Sequence, residues 1–186
     1  FKPLKVITVP KLQYVEYGRI MSIVAERKRL LADRELRGSE FTLQLSDATD
    51  QWLQDLFSSV VDNRQDLALI AVGGYGRRDL SPLSDLDVLL LHNGAQDIES
   101  IAEALWYPIW DQGGNLGHSV RTIAETLDLA NEDLDTATSL LSCRIIAGSQ
   151  LLADELAGLA LEQWKSKTKL WLPKSVSYTH LRAHET

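Results

Sequence analysis

Residues 67–91 read LALIAVGGYGRRDLSPLSDLDVLLL. The run opens with six apolar residues, Leu67 to Val72, and breaks at Gly73-Gly74. It passes through a polar stretch holding Ser81-Pro82 and becomes apolar again from Leu86. Short, wholly apolar runs bounded by glycine and proline read as buried strands. Side chains alternate along a strand, so Asp85 and Asp87 at i and i+2 point to one face. Two neighbouring carboxylates repel each other unless a cation lies between them.

Oxygen ligands of this kind suit Mg²⁺, which keeps several waters and binds through one or two carboxylates together with substrate phosphates. Gly73, Gly74 and Gly76 let the backbone turn sharply and approach a ligand without a Cβ in the way. Successive N–H groups in such a turn can form an anion-binding nest. Ser84 adds a possible hydroxyl donor and Arg77 a possible counter-charge for phosphate. A Walker A loop is excluded, because no Gly-Lys-Ser/Thr follows. A dinucleotide fingerprint is excluded too, since the glycine spacing is wrong and the turn leads to Ser-Pro and a strand. The plainer readings are a tight turn for the glycines and a solvated strand edge for the aspartates. Together, in this order and between two apolar runs, they point to nucleotidyl transfer.

The rest of the chain reads as helices around this small sheet. A helix is expected over 16–37, stopped at Gly38, and a second from a cap at Ser46 or Asp47 to about Asn63. The second carries a stripe of Trp52, Leu53, Leu56, Phe57 and Val60. Asp97 caps a third helix, ended by Gly113-Gly114, and Leu116–Ile123 is a third strand. Helices are then expected over 122–130 (capped by Thr122), 133–148 (stopped at Gly148) and 149–166. Residues 1–15 give no clear pattern. Trp106, Tyr107 and Trp110 fall at helical spacing, which reads as core packing rather than a base-stacking platform.

Among 186 residues, 45% are hydrophobic, enough for a sizeable core. The net charge of −7 and the absence of a dense Lys/Arg run weigh against a nucleic-acid substrate. The single cysteine, Cys143, has no disulfide partner within the chain and reads as a small packed residue. No apolar stretch is long enough to span a membrane and no signal peptide is recognisable, so a cytoplasmic location is expected. The last residues, VSYTHLRAHET, resemble translated sequencing-adapter read-through and are expected to be non-native. His180 and His184 within them stand at i and i+4 and are not expected to bind metal. The gene is expected to continue beyond about Lys174.

The stretch GGYGRRDLSPLSDLDVLLL resembles the nucleotidyltransferase motif of the bacterial PII uridylyltransferase family. It also fits the wider DNA polymerase β-like superfamily signature of paired glycines, a spacer and Asp-x-Asp. The likeness continues through LWYPIWDQGGNLGHSVRT at Leu105–Thr122 and DLDTATSLLSCRIIAG at Asp133–Gly148. It spans about residues 66–166.

This resemblance implies an α+β fold with a small mixed sheet. An N-terminal helical segment would cover 1–64, the nucleotidyltransferase core 65–125, a helical extension 126–174, and the tail 175–186. It implies Mg²⁺-dependent transfer of UMP from UTP to a tyrosine of the nitrogen-regulatory PII protein, with release of pyrophosphate. Asp85 and Asp87 would be the metal ligands and catalytic carboxylates. Gly73, Gly74, Gly76, Ser84, Arg77 and Arg121 would surround the nucleotide phosphates. The family's phosphohydrolase and glutamine-sensing domains would lie outside this stretch.

Many superfamily members place a third carboxylate two residues before an arginine; here Ser119 holds that place before Arg121, preceded by His118. Asp111, or an acid further along the gene, would have to supply it, or the site works with two. A structural role is expected for His118, while Arg121 is open between a triphosphate contact and an ion pair with a motif carboxylate. The motif fixes phosphates and metal, not the base. Adenylyl transfer, or a non-catalytic nucleotide-binding module, therefore remain alternatives.

Overall fold

The computed structural model describes residues 23–62, 64–111 and 116–183, with side chains described to residue 175. The start of the expected first helix, the Gly113-Gly114 stop, His184 and the His180 side chain lie outside the described residues.

Two strands come from the apolar runs that frame the motif. β1 (Leu67–Ala71) is buried at every position, and β2 (Leu86–His92) runs antiparallel to it with Ile70 opposite Leu89. β3 (Leu116–Arg121) lies parallel to β2 on its far side, and β4 (Arg144–Gly148) lies antiparallel to β1. The sheet order is β3-β2-β1-β4, which is mixed, as expected.

Alternation along β1 and β2 sends neighbouring side chains to opposite faces, and each face is covered by helices. On one face Leu67, Leu69, Val88 and Leu90 pack with α1 (Ile23–Ala32), α2 (Gly38–Val60) and α4 (Ile98–Asp111), around Trp52, Leu56, Leu105 and Trp106. On the other, Ala68, Ile70, Leu89 and Leu91 meet α5 (Ile123–Glu132), α6 (Leu134–Leu140), α7 (Gln150–Ser166) and α8 (Thr168–Ala183), around Leu140, Leu156 and Trp171. Burying a side chain of this size stabilises by about 2–3 kcal/mol, so this two-sided cover explains why β1 and β2 carry no polar alternation.

Three boundaries differ from the sequence expectation. Gly38 does not stop a helix; it starts α2 with a left-handed φ of 56°. Ser46 and Asp47 lie inside α2 rather than at its cap, and the Ser46 hydroxyl donates to the Thr42 carbonyl one turn back at 2.7 Å. That local bond satisfies a helix-interior serine as well as a cap would.

The largest correction is the expected helix over 133–148, which breaks after Leu140 and becomes β4. A bulge beside Leu69 and Ile70 leaves Ile146 unpaired in the β1–β4 register. Ile146 and Ala147 therefore pack on one face while Ile145 joins the other, and the period of two that marks a strand is lost. Leu134, Ala137, Leu140 and Ile145 happen to continue a helical spacing across the break. Cys143 sits in the turn before β4, where burial pushes its thiol up, away from a reactive thiolate. By contrast α5 begins at a capping box between Thr122 and Glu125, at the expected position.

Candidate functional site

The glycine turn is built as a continuation of β1. Val72 stays extended, and its N–H donates to the Asp87 carbonyl at 3.0 Å, tying the turn to the start of β2. Gly73 then takes φ 59° and opens a single helical turn, α3 (Gly73–Gly76). Only glycine adopts that left-handed conformation without strain. A Cβ on Gly73 would lie 3.6 Å from Asp87 Oδ2, so the carboxylate faces the turn.

The other side of that carboxylate is closed by β3. Asp87 is opposite Gly117 in the parallel register, and a Cβ on Gly117 would fall 2.3 Å from Asp87 Oδ1. Asp87 is therefore seated between two backbone segments that lack side chains. Gly117 lies in the resembling stretch 105–122, but its pairing with Asp87 has no local signal, because it is fixed only by β-sheet register. Asp87 is half-buried, and its carboxyl is pushed above the ordinary range, first by burial and then by the charge of Asp85. Asp85, one residue before β2, is exposed. Among the described residues no hydrogen bond or ion pair engages the Asp87 side chain, and no third acid, histidine or cysteine completes a ligand cluster. Two carboxylates, one desolvated and uncompensated, form an oxygen donor set that fits a hard divalent cation binding few protein ligands.

The remaining expected phosphate groups are placed unevenly. Gly74 is open: a Cβ there would meet nothing nearer than Arg77 Nη2 at 3.9 Å. Gly76 answers a packing demand, since a Cβ there would lie 1.8 Å from the Ser142 carbonyl oxygen. Arg77 is exposed and its Nε donates to Asp79 at 3.0 Å. The Ser84 hydroxyl closes the connecting loop, accepting from Ser81 N–H at 2.7 Å and donating to the Ser81 carbonyl at 3.0 Å. Arg121 stands opposite Leu91, four register positions beyond the Asp87–Gly117 pair, or about 13 Å at strand spacing. The fold does not bring it to the carboxylates.

His118 points away from Asp87, toward the α4 side. Its ring, on an exposed residue, lies 5.4 Å from the Trp106 ring and 5.3 Å from the Trp110 ring. Of the expected core aromatics only Trp106 is buried; Trp110 is 45% and Tyr107 62% exposed. Asp111 is an exposed residue at the end of α4.

Behind the turn lies a cluster that motif reading missed. Tyr75 is buried and its hydroxyl donates to Asp50 Oδ1 of α2 at 2.6 Å. Arg144 of β4 grips the same carboxylate with both terminal nitrogens, at 2.6 and 3.0 Å. It also donates to the carbonyls of Tyr75 and Gly76, each at 3.3 Å. Arg78 has φ 64°, an uncommon conformation for a side-chain-bearing residue, and its guanidinium lies 3.1 Å from Asp47 and 3.8 Å from Asp50. Desolvation, then the Asp50 charge and hydrogen bond, push the Tyr75 phenol well above its ordinary range, so it remains a donor. Asp50 and Arg144 are far apart in sequence; Arg144 lies in the resembling stretch 133–148, whereas Asp50, between Thr49 and Gln51, carries no local signal.

No family model matches the chain. Curated relatives do. A bifunctional uridylyltransferase/uridylyl-removing enzyme of Streptomyces coelicolor is 41% identical over 152 residues, covering 81% of this chain and 18% of the relative. The enzyme so named from Mycobacterium tuberculosis is 39% identical over 163 residues, covering 86% and 20%. That from Phenylobacterium zucineum is 37% identical over 145 residues, covering 70% and 16%. The chain spans about a fifth of the length of these relatives. A solved toxin–antitoxin structure with AMP-PNP aligns over 69% of this chain and 94% of its own at 12% identity with a TM-score of 0.39, too distant to add to the assignment. Over the segment it spans, the chain belongs with the bifunctional uridylyltransferase/uridylyl-removing enzymes.

Proposed function

We propose that these residues form the nucleotidyl-transfer site of a PII uridylyltransferase, moving UMP from UTP to a tyrosine hydroxyl of the PII protein and releasing pyrophosphate. The observation that carries this reading is the Asp87 carboxylate, half-buried beside Asp85, facing the glycine turn and without a counter-charge. A desolvated carboxylate is costly to keep ionised unless a cation compensates it.

Asp85 and Asp87 would hold Mg²⁺, which neutralises phosphate charge when bound. The open backbone at Gly73 and Gly74 lets a triphosphate approach without meeting a Cβ. The first N–H groups of a helical turn have no acceptor within it and are free to donate to phosphate oxygens. Arg77, exposed at the rim, adds positive charge. Transfer of this type depends on in-line positioning and charge neutralisation more than on covalent catalysis. Ser84 and Arg121 contribute less directly: the first shapes the loop that delivers Asp85, and the second lies at the far end of β3.

The test is pyrophosphate release from UTP by the chain with purified PII and Mg²⁺, run beside ATP. Release with UTP, dependent on both PII and Mg²⁺, is expected. Turnover with ATP alone would replace uridylyl by adenylyl transfer, and Mg–nucleotide binding with no release would indicate a binding module. Membrane attachment plays no part in the reading, and no described helix is long and apolar enough to cross a membrane.

A further inference from the structure

Asp50 is 7% exposed and is the only charged residue in the buried class among those described. A buried ion pair contributes little net stability compared with apolar packing of the same volume. What it supplies instead is a fixed geometry, because a bidentate guanidinium–carboxylate pair tolerates few arrangements.

Here that geometry is transmitted to the glycine turn. Arg144 binds the Asp50 carboxylate with one edge and the carbonyls of Tyr75 and Gly76 within its reach. Tyr75 sends its hydroxyl back to the same carboxylate, and the Arg144 guanidinium carbon lies 5.5 Å over the Tyr75 ring. The turn is thus fastened through its backbone and through its one large side chain. Its other end touches the metal-facing carboxylate, where Gly73 approaches Asp87. Two residues past the Gly76 end, Arg78 has a strained backbone, and its guanidinium lies 3.1 Å from Asp47 and 3.8 Å from Asp50. Strain of this kind persists where the surroundings over-determine it.

We propose that Asp50 and Arg144 are positioning residues for nucleotide binding: acting through Tyr75, they hold the glycine turn at a set distance from Asp87. Neither touches the nucleotide. The inference rests on the nucleotide-site reading above and adds to it the residues that set its geometry. Because a shift of about 1 Å in a reacting group costs roughly a hundredfold, a loosened turn is felt in binding and turnover before it is felt in folding.

The test uses the 186-residue chain with Mg–UTP and Mg–ATP in calorimetric titrations, well below the thermal midpoint of each variant. Tyr75→Phe removes one hydroxyl, and Arg144→Lys keeps the charge but not the fork. Each is expected to raise the nucleotide Kd about tenfold or more while the fold persists by circular dichroism. In the pyrophosphate assay the loss is expected mainly in KM for UTP. The double variant is expected to lose little beyond the worse single one, since both act on one turn. Folded variants that bind as tightly as the parent would overturn the clamp and leave the site reading intact. A parent chain that binds neither nucleotide would overturn both.

Discussion

Asp50 and Asp87 lie on either side of the same glycine turn and are treated in opposite ways. Asp50 has a tyrosine hydroxyl, a bidentate arginine and a second arginine nearby. Asp87 has two bare glycine backbones and another carboxylate. The first charge is compensated inside the chain and braces the turn from behind. The second is left short of a counter-charge, which suits a group meant to meet a cation from outside.

The sharpest break of this contrast is in activity. Asp85→Asn or Asp87→Asn is expected to cut transfer by about a thousandfold, with far-UV circular dichroism unchanged, since a metal clamp is worth several kcal/mol of barrier. Parental rates in both variants would remove the metal assignment.

Asp50→Ala, harsher than the conservative clamp variants, should cost stability as well as nucleotide binding. It leaves Arg144 and the Tyr75 hydroxyl without their shared partner, at a cost of about 3 kcal/mol. For a chain of this size that lowers the Tm by roughly 6–12 °C in thermal unfolding. A midpoint within a degree of the parent would show that the buried ion pair is not structural.

The two close-packed glycines sharpen the same distinction. Gly76→Ala drives a Cβ against the Ser142 carbonyl, a backbone atom, and is expected to cost about 3 kcal/mol. Gly117→Ala meets only the end of the Asp87 side chain, which can rotate away. It should cost less than about 1 kcal/mol while displacing the carboxylate and weakening Mg–nucleotide binding. Equal thermal losses in the two would argue that Asp87 is held as firmly as the backbone.

The smallest expected effect carries the most unusual sign. In EDTA, Asp87→Asn should raise the Tm by about 2 °C, because it removes a desolvated charge beside Asp85. The gain is small because Asp85 is exposed and solvent screens the pair. A fall in Tm would mean that the ionised carboxylate is satisfied within the fold.

Much of the core was legible without coordinates. β1, β2, β3, α5 and α7 lie where apolar runs, glycines and capping residues place them, because those signals are local. β4 was not legible, since its bulge erases the alternation and its residues extend the helical spacing of α6. The start of α2 was hidden by Ser46 and Asp47, which suit a cap but are satisfied inside a helix. At the site, Asp85, Asp87, Gly73 and Gly74 stood out through spacing. Arg121 also stood out, yet the parallel register carries it to the far end of β3. Gly117, Asp50 and Arg144 carry no spacing signal, because strand register and helix packing bring them in from distant parts of the chain.

Amino-acid order alone determined the paired acids, the flexible bend before them and the two greasy strands on which they ride, since each depends on neighbours only a few bonds away. Folding decided which backbone closes over Asp87, which residues brace the bend and which arginine is left out. Those are contacts between segments remote in sequence, and they exist only once the sheet register and the helix on its face are in place.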